Sequence, residues 1–240
     1  MVQNIFKRIL QTLIVLLGVA LLIFILLRIV PGNAIVTMMG EHADEATIQR
    51  MTSELGLDKP ILTQFWRYIS GAVRGDFGTS YATGRSVSSL MAAAFPHTLI
   101  LALCAAAFAW ALGILCGVAA AVKKNGILDH LFMGVSLLGV SLPVFMAAMV
   151  LQYLLAYKLH WFPISGVDDW RGYVLPAIAL GWNSAGSIAR LTRSTLLEVL
   201  GEDYIDTARA KGLRSFGVVT RHALKNAMLP VITMMAVQLS

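Results

Sequence analysis

Charged residues are scarce in this chain: they make up 13% of its 240 residues, about half the share of an ordinary soluble domain. Hydrophobic residues make up 58%, and the mean hydropathy is +0.74. This composition excludes a disordered chain, which would be polar and rich in charge. It predicts an all-α, polytopic bundle of transmembrane helices.

Residue types that carry chemistry are also scarce or poorly placed. Cys104 and Cys116 lie in one apolar stretch and are predicted to be core thiols, because a helix would hold them about 18 Å apart, beyond disulfide reach. The five histidines show no metal-ligand spacing, and the chain has neither a P-loop nor a G-x-S-x-G motif. We therefore predict no enzyme active site, no metal and no cofactor.

Four stretches are long and apolar enough to cross a membrane, which takes about 20 helical residues. They cover residues 9–27, 86–122, 131–157 and, as the weakest, 172–189. A fifth apolar run begins at Asn226 and continues to Ser240, which is about 22 Å of helix. The chain is therefore predicted to stop inside a membrane crossing.

The first stretch is predicted to be a retained span, because it is longer than the roughly 7–15 apolar residues of a signal peptide. Val30-Pro31-Gly32 is predicted to end this helix, so residues 1–32 form an N-terminal span. Residues 33–96 then form an extracytoplasmic segment with short amphipathic helices over 45–55, ended by Gly56, and over 60–73. The main transmembrane domain covers 97–240.

The basic residues indicate which side of the membrane each segment occupies. The N-terminus carries +2 from Lys7 and Arg8, the loop 123–130 carries +1, and the segment 190–226 carries +3. The segment 33–96 carries −1. By the positive-inside rule, the first three segments are cytoplasmic. The net charge of +6 is then an orientation signal, and no nucleic-acid partner is expected.

Small and polar residues inside the spans have two interpretations each. Gly113 and Gly117 form a G-x-x-x-G pattern that favours close packing within the bundle, with subunit dimerisation as the alternative. Asn183, Ser184 and Ser187 form a small polar face that either lines a solute path or packs against neighbouring helices. The second to fourth stretches contain no Asp or Glu, which weighs against a proton-coupled carrier.

The most informative segment lies between the fourth and fifth apolar runs. Residues 202–212 begin with acids and end with bases and Gly212, a pattern typical of a helix that complements its dipole and ends in a left-handed cap. Ser215 is predicted to N-cap a second helix, from Phe216 to about Asn226. This element is a solvated loop pair or a docking surface for a soluble partner. Its position between spans and its mixed charge disfavour DNA binding.

The segment resembles the EAA-type loop of ABC importer permeases, whose short coupling helix inserts into the ATPase subunit. Asp206, Thr207 and Ala208 occupy the places of E-A-A, and Gly212 is the family's glycine. Asp206 replaces the family's Glu, and Leu229-Pro230 comes later than in the stricter pattern. Both departures are typical of the subfamily that imports peptides, nickel and glutathione.

The resemblance extends over nearly the whole chain, with its landmarks in the expected order. Its details look closest to the first permease subunit of the glutathione and dipeptide members. The landmarks include Leu27-Arg28-Ile29-Val30-Pro31-Gly32, Gly75-Asp76-Phe77-Gly78-Thr79-Ser80, Pro96-His97-Thr98-Leu99, Ser141-Leu142-Pro143-Val144-Phe145 and Ala189-Arg190-Leu191-Thr192-Arg193-Ser194.

This resemblance implies a type I ABC importer permease fold, incomplete at its C-terminus, in the cytoplasmic membrane of a bacterium. Its implied partners are a homologous second permease, two ABC ATPase subunits, a periplasmic or lipid-anchored solute-binding protein and membrane lipid. Within the coupling segment 190–226, Ala208 keeps the contact close, Gly212 sets the bend, and Arg209 and Lys211 pair with acidic groups. The full set implied for coupling is Tyr204, Asp206, Thr207, Ala208, Arg209, Lys211 and Gly212, and Asn183, Ser184 and Ser187 are the candidates for the path.

The expected function is that of a permease subunit that imports peptides or glutathione while its partners hydrolyse ATP. A nickel importer is the alternative within the same subfamily. A secondary transporter that works without ATP and a truncated, non-transporting remnant are the alternatives from other classes.

Overall fold

The computed structural model of the protein describes residues 2–29, 49–50, 52–53, 56–80 and 82–239. Its described secondary structure is helical, with one isolated antiparallel bridge between Thr79 and Ser86, and the all-α prediction is confirmed. The chain divides into two compact units, Met1–Phe95 and Pro96–Ser240.

The first unit contains a long apolar helix and a short amphipathic one. Helix α1, Val2–Ile29, leaves most of its apolar side chains exposed, as expected of a helix that contacts lipid or another membrane helix. Helix α2, Ile61–Val73, follows Pro60 and confirms the helix predicted there. It buries Phe65, whose ring packs edge-on against Phe24 with the ring centroids 5.5 Å apart.

Two further predictions for this unit lie wholly or mostly outside the described residues. They are the helix terminator at Val30-Pro31-Gly32 and most of the helix over 45–55, of which residues 49–50 and 52–53 are described and helical. Gly56, which is predicted to end that helix, is a turn residue. It has a φ of +66°, and its amide donates to the Ser53 carbonyl over 3.1 Å.

The second and third apolar stretches differ in straightness. Helix α3, Val87–Val122, is long and apolar enough to cross a membrane, as α1 is. The third stretch is two helices: α4, Ile127–Ser141, and α5, Val144–Leu151, which continues as a π-helix over Gln152–Lys158. The two halves are bent by 109°, so the stretch predicted over 131–157 is a bent pair of helices that together are long and apolar enough for one span.

Pro143 explains the break. Its ring carries no amide proton and disfavours the helical conformation of the residue before it. Leu142 is accordingly extended, with φ −84° and ψ 130°, and α5 begins directly after the proline. Helix α4 alone covers about 22 Å, which is less than the roughly 30 Å of hydrocarbon in a bilayer.

Helix α6, Val174–Leu200, has the most buried residues of the described helices and follows a 3-10 turn, Trp170–Tyr173. Among the described helices, α1, α3 and the bent pair are those that qualify as spans by length and apolar composition. The fourth predicted crossing, over 172–189, is therefore not supported as an apolar span. Its small and polar residues suit a helix that is surrounded by other helices rather than by lipid.

Glycines let α6 approach its neighbours closely. An added Cβ at Gly113 or Gly117 of α3 would come within 2.8 Å or 2.6 Å of atoms of α6. On α6 itself, a Cβ at Gly186 would lie 2.6 Å from the Ser136 carbonyl oxygen of α4. These separations are shorter than any normal carbon contact, so each site requires glycine. The prediction of close packing within the bundle is confirmed.

Neither cysteine is the core thiol that was predicted, because the buried side of α3 is formed by small residues. Ala105, Ala109, Gly113 and Gly117 recur every four residues along α3 and are buried. Cys104 lies off this stripe and is exposed, while Cys116 is partly buried, and both are free thiols. Neither is a core residue.

The last part of the chain is a short helix followed by one long, continuous helical segment. Helix α7, Asp203–Ala210, is followed by α8, Ser215–Gly217, a π-helix over Val218–Ala223 and α9, Leu224–Val237. The second helix of the predicted pair and the fifth apolar run are therefore continuous. The predicted N-cap is wrong, because the helix begins at Ser215 itself and Arg214 occupies the cap position without a side-chain hydrogen bond.

Candidate functional site

The elbow, residues 202–212, consists of α7 and the bend after it. Asp203 and Asp206 lie in the first turn of α7 and Arg209 in its last turn, where each complements the helix dipole. Gly212 has a φ of +77°, and its amide donates to the Arg209 carbonyl over 2.9 Å. The predicted helix and its left-handed glycine bend are both present.

One face of α7 is fixed to the bundle. Ile205 is completely buried and Ala208 is 7% exposed, and their spacing of three places them on the same side of the helix. They share an apolar cluster with residues of α3, of α6 and of the continuous helical segment from α8 to α9. The other buried members of this cluster are Ala121, Leu196, Val218, Ala223 and Ala227.

The opposite face of the elbow is exposed and polar. Asp206 and Arg209 form an ion pair, with Arg209 Nη1 2.9 Å from Asp206 Oδ1. The Asn226 Nδ2 donates to the Tyr204 hydroxyl over 2.8 Å, which links α7 to α9. The predicted coupling residues on the exposed face are Tyr204, Asp206, Thr207, Arg209, Lys211 and Gly212.

Ala208 belongs to the predicted set but faces inward. The close contact that its small side chain permits is therefore with the chain's own bundle. The spacing of Ile205 and Ala208 was the sequence signal for this, because two apolar residues three apart in a polar helix indicate its buried face.

The path candidates lie on α6, away from the elbow. Asn183, Ser184 and Ser187 are all partly buried, and Ser187 lies about 20 Å along the helix from its end at Leu200. The Asn183 Nδ2 donates to the Gly139 carbonyl of α4 over 3.3 Å, so this side chain takes part in helix packing. The structure thus places the path candidates on α6 and the coupling residues on α7 and the bend after it.

A buried ion pair between α4 and α6 was not predicted. Arg193 Nε donates to Asp129 Oδ1 and Arg193 Nη2 to Asp129 Oδ2, each over 2.6 Å. Asp129 is only 2% exposed, and its Oδ2 also accepts from the Asn125 amide over 2.9 Å. Nothing local in the sequence connects the two side chains, which are 64 positions apart.

Histidine and acidic side chains do not converge on a metal site in the described part of the chain. His97 is a helix residue whose ring stacks on Tyr173, with ring centroids 6.2 Å apart, and whose Nδ1 bonds the Tyr173 hydroxyl. It is engaged in a structural contact at the start of α6.

The fold and the elbow define a polytopic helical membrane protein with an ordered amphipathic helix and a glycine bend between apolar segments. Residues 113–240 match the family of binding-protein-dependent transport system inner membrane components. Residues 1–102 match the N-terminal family of the same membrane components. The chain belongs to this family.

Curated relatives extend the match over almost the entire chain. The glutathione transport system permease protein GsiC of Salmonella paratyphi A is 42% identical over 238 residues, which is 99% of this chain and 78% of the relative. The protein of the same name from Escherichia coli K12 is 40% identical over the same shares. The resemblance seen in the sequence is confirmed: the chain is a permease subunit of an ABC importer in the inner membrane, a class that works with an ATPase and a binding protein.

Proposed function

We propose that the chain is one of two homologous permeases in an importer of glutathione or short peptides. Two ATPase subunits bind on its cytoplasmic side, and a periplasmic or lipid-anchored binding protein delivers the solute. The names of its relatives support glutathione as the first substrate to test. The chain contains no P-loop, so ATP is bound and hydrolysed by the partner subunits.

The observation that carries this proposal is the two-sided elbow. Its outer face is exposed and polar, with the Asp206–Arg209 ion pair at its centre, as suits contact with a soluble subunit. Its inner face is fixed by Ile205 and Ala208 to the ends of α3, α6 and the following helix. Because these residues are tightly packed, a push on the outer face displaces the helix ends as one body.

The charge pattern supports an orientation with the elbow in the cytoplasm. The N-terminus, the loop 123–130 and the segment 190–226 are basic, whereas the segment 33–96 is slightly acidic. By the positive-inside rule the N-terminus and the elbow share the cytoplasmic side. The proposed division into a first span over 1–32, an extracytoplasmic segment over 33–96 and a permease domain over 97–240 follows from this orientation.

The proposed path runs along the polar side of α6. Asn183, Ser184 and Ser187 are partly buried and uncharged, and their amide and hydroxyl groups can exchange hydrogen bonds with peptide groups in transit. Asn183 also donates to the Gly139 carbonyl of α4, so α4 and α6 together form one wall of the proposed path.

The test is uptake by the purified complex of this chain with its partner subunits in proteoliposomes. Binding protein and labelled glutathione, a dipeptide, a tripeptide or Ni²⁺ are added outside, and ATP or a non-hydrolysable analogue is enclosed. We expect accumulation of glutathione or peptide with ATP and none with the analogue. Uptake driven by an ion gradient without ATP, uptake of Ni²⁺ alone, or assembly without any transport would contradict the proposal.

A further inference from the structure

The pair Asp129 and Arg193, together with the Asn125 amide, forms what we call the clasp. The Asp129 carboxylate accepts three hydrogen bonds, two from the guanidinium and one from the backbone. Asp129 is almost completely buried, and the side chain of Arg193 is 26% exposed. A two-bond guanidinium–carboxylate contact fixes direction as well as distance. The start of α4 is therefore held in one orientation on α6.

The clasp lies between the elbow and the proline break. Arg193 is about 10 Å along α6 from Leu200, the last residue of α6 before the elbow, and Asp129 is about 20 Å along α4 from Pro143. Further along, the backbones of α4 and α6 touch where Gly186 meets Ser136. Beside it, Trp182 and Asn183 of α6 donate to the Val135 and Gly139 backbone carbonyls of α4 over 3.5 Å and 3.3 Å. These bonds are longer and uncharged, so they resist displacement less than the clasp does.

We propose that Asp129 and Arg193 are positioning residues for transport. They make α4 follow α6, so that a displacement entering at the elbow reaches the break at Leu142-Pro143 and moves the two halves of the bent pair against each other. Without the clasp, α6 moves past α4 and ATP is hydrolysed without import. This inference rests on the proposed function, since it concerns how the work of the ATPase reaches the path.

The test compares Arg193→Lys and Asp129→Asn with the wild-type complex. Lysine keeps the charge but not the two-bond fork, and asparagine keeps the shape and one acceptor oxygen. The readout is ATP hydrolysed per glutathione imported, measured on equal amounts of assembled complex. We expect this ratio to rise about tenfold, within the range of typical coupling between sites. Lys124→Ala, an exposed basic side chain in the loop before α4, is the matched control and should leave the ratio unchanged.

A pair that serves only folding would give a different result. The variants would then assemble in lower amounts, but each assembled complex would keep the wild-type ratio, and that outcome overturns this inference. The exchanged pair Asp129→Arg with Arg193→Asp should move the ratio back toward the wild-type value, and failure of this rescue also counts against it. If the wild-type complex shows no ATP-driven uptake, the proposed function fails and the inference fails with it. Wild-type uptake with unchanged ratios in the variants overturns the inference alone.

Discussion

A Gly212→Asp variant is expected to insert into the membrane and assemble, but to lose ATP-driven uptake. Gly212 has a φ of +77°, a conformation that costs other residues about 1–2 kcal/mol. An added Cβ meets nothing within 4 Å in the described part of the chain, so the substitution causes no internal clash. The new carboxylate would instead be exposed at the bend, beside the negative end of the α7 dipole.

The measurement is uptake and substrate-stimulated ATP hydrolysis by the purified complex. Uptake should fall by about tenfold or more, since 1.4 kcal/mol already corresponds to a factor of ten. Gly212→Asn is the control for size, because asparagine tolerates a positive φ and lacks the charge. Gly217→Ala is the control for an added methyl group, because Gly217 is helical and its Cβ site is also open. If the Gly212→Asp complex kept both activities, the elbow would have no coupling role.

A Gly117→Val variant is expected to prevent the bundle from packing. A Cβ at Gly117 would lie 2.6 Å from the Ala189 carbonyl oxygen and 2.6 Å from the Thr192 Cβ. The first of these atoms is backbone, so a valine can be accommodated only if α3 and α6 separate. Overpacking of this kind lowers the free energy of unfolding by about 1–3 kcal/mol, and we expect the upper end of that range.

The check is the yield and the unfolding temperature of the solubilised complex. Gly134→Val supplies the matched control, because Gly134 is also a helical glycine in an apolar stretch but has open space around its Cβ site. The control should behave like the wild type, while Gly117→Val should lower both readouts. Equal yields and unfolding temperatures for the two variants would show that close approach at Gly117 is not needed.

The long apolar stretches and the elbow could be predicted because their signals are local. Charge-free runs of sufficient length appear as α1 and α3, and acids, bases and a glycine in sequence order define α7 and its bend. The sequence contains a proline at position 143, but it does not show that the helix bends there. Pro96 and Pro230 both lie inside continuous helices, so a proline in an apolar run does not by itself determine the backbone path.

The clasp could not be predicted because it depends on tertiary structure. Asp129 and Arg193 are far apart in the chain and meet only when α4 packs on α6. The exposure of Cys104 depends in the same way on which side of α3 the other helices cover. A single sequence predicts how long and how apolar a helix is. Which residues of other helices contact each side of it depends on how the helices pack together.

The most direct test of the central claim, that ATP-driven force enters the chain at the elbow, is photocrosslinking from defined positions. A photoreactive residue replaces Arg209, on the exposed face of α7, or Lys158, an exposed position at the end of the π-helix after α5. In complexes that import substrate, the Arg209 position should crosslink to the ATPase subunit with a yield that changes when ATP is added, and the Lys158 position should not. Equal crosslinking from both positions, or none from the Arg209 position in a transporting complex, would contradict the claim.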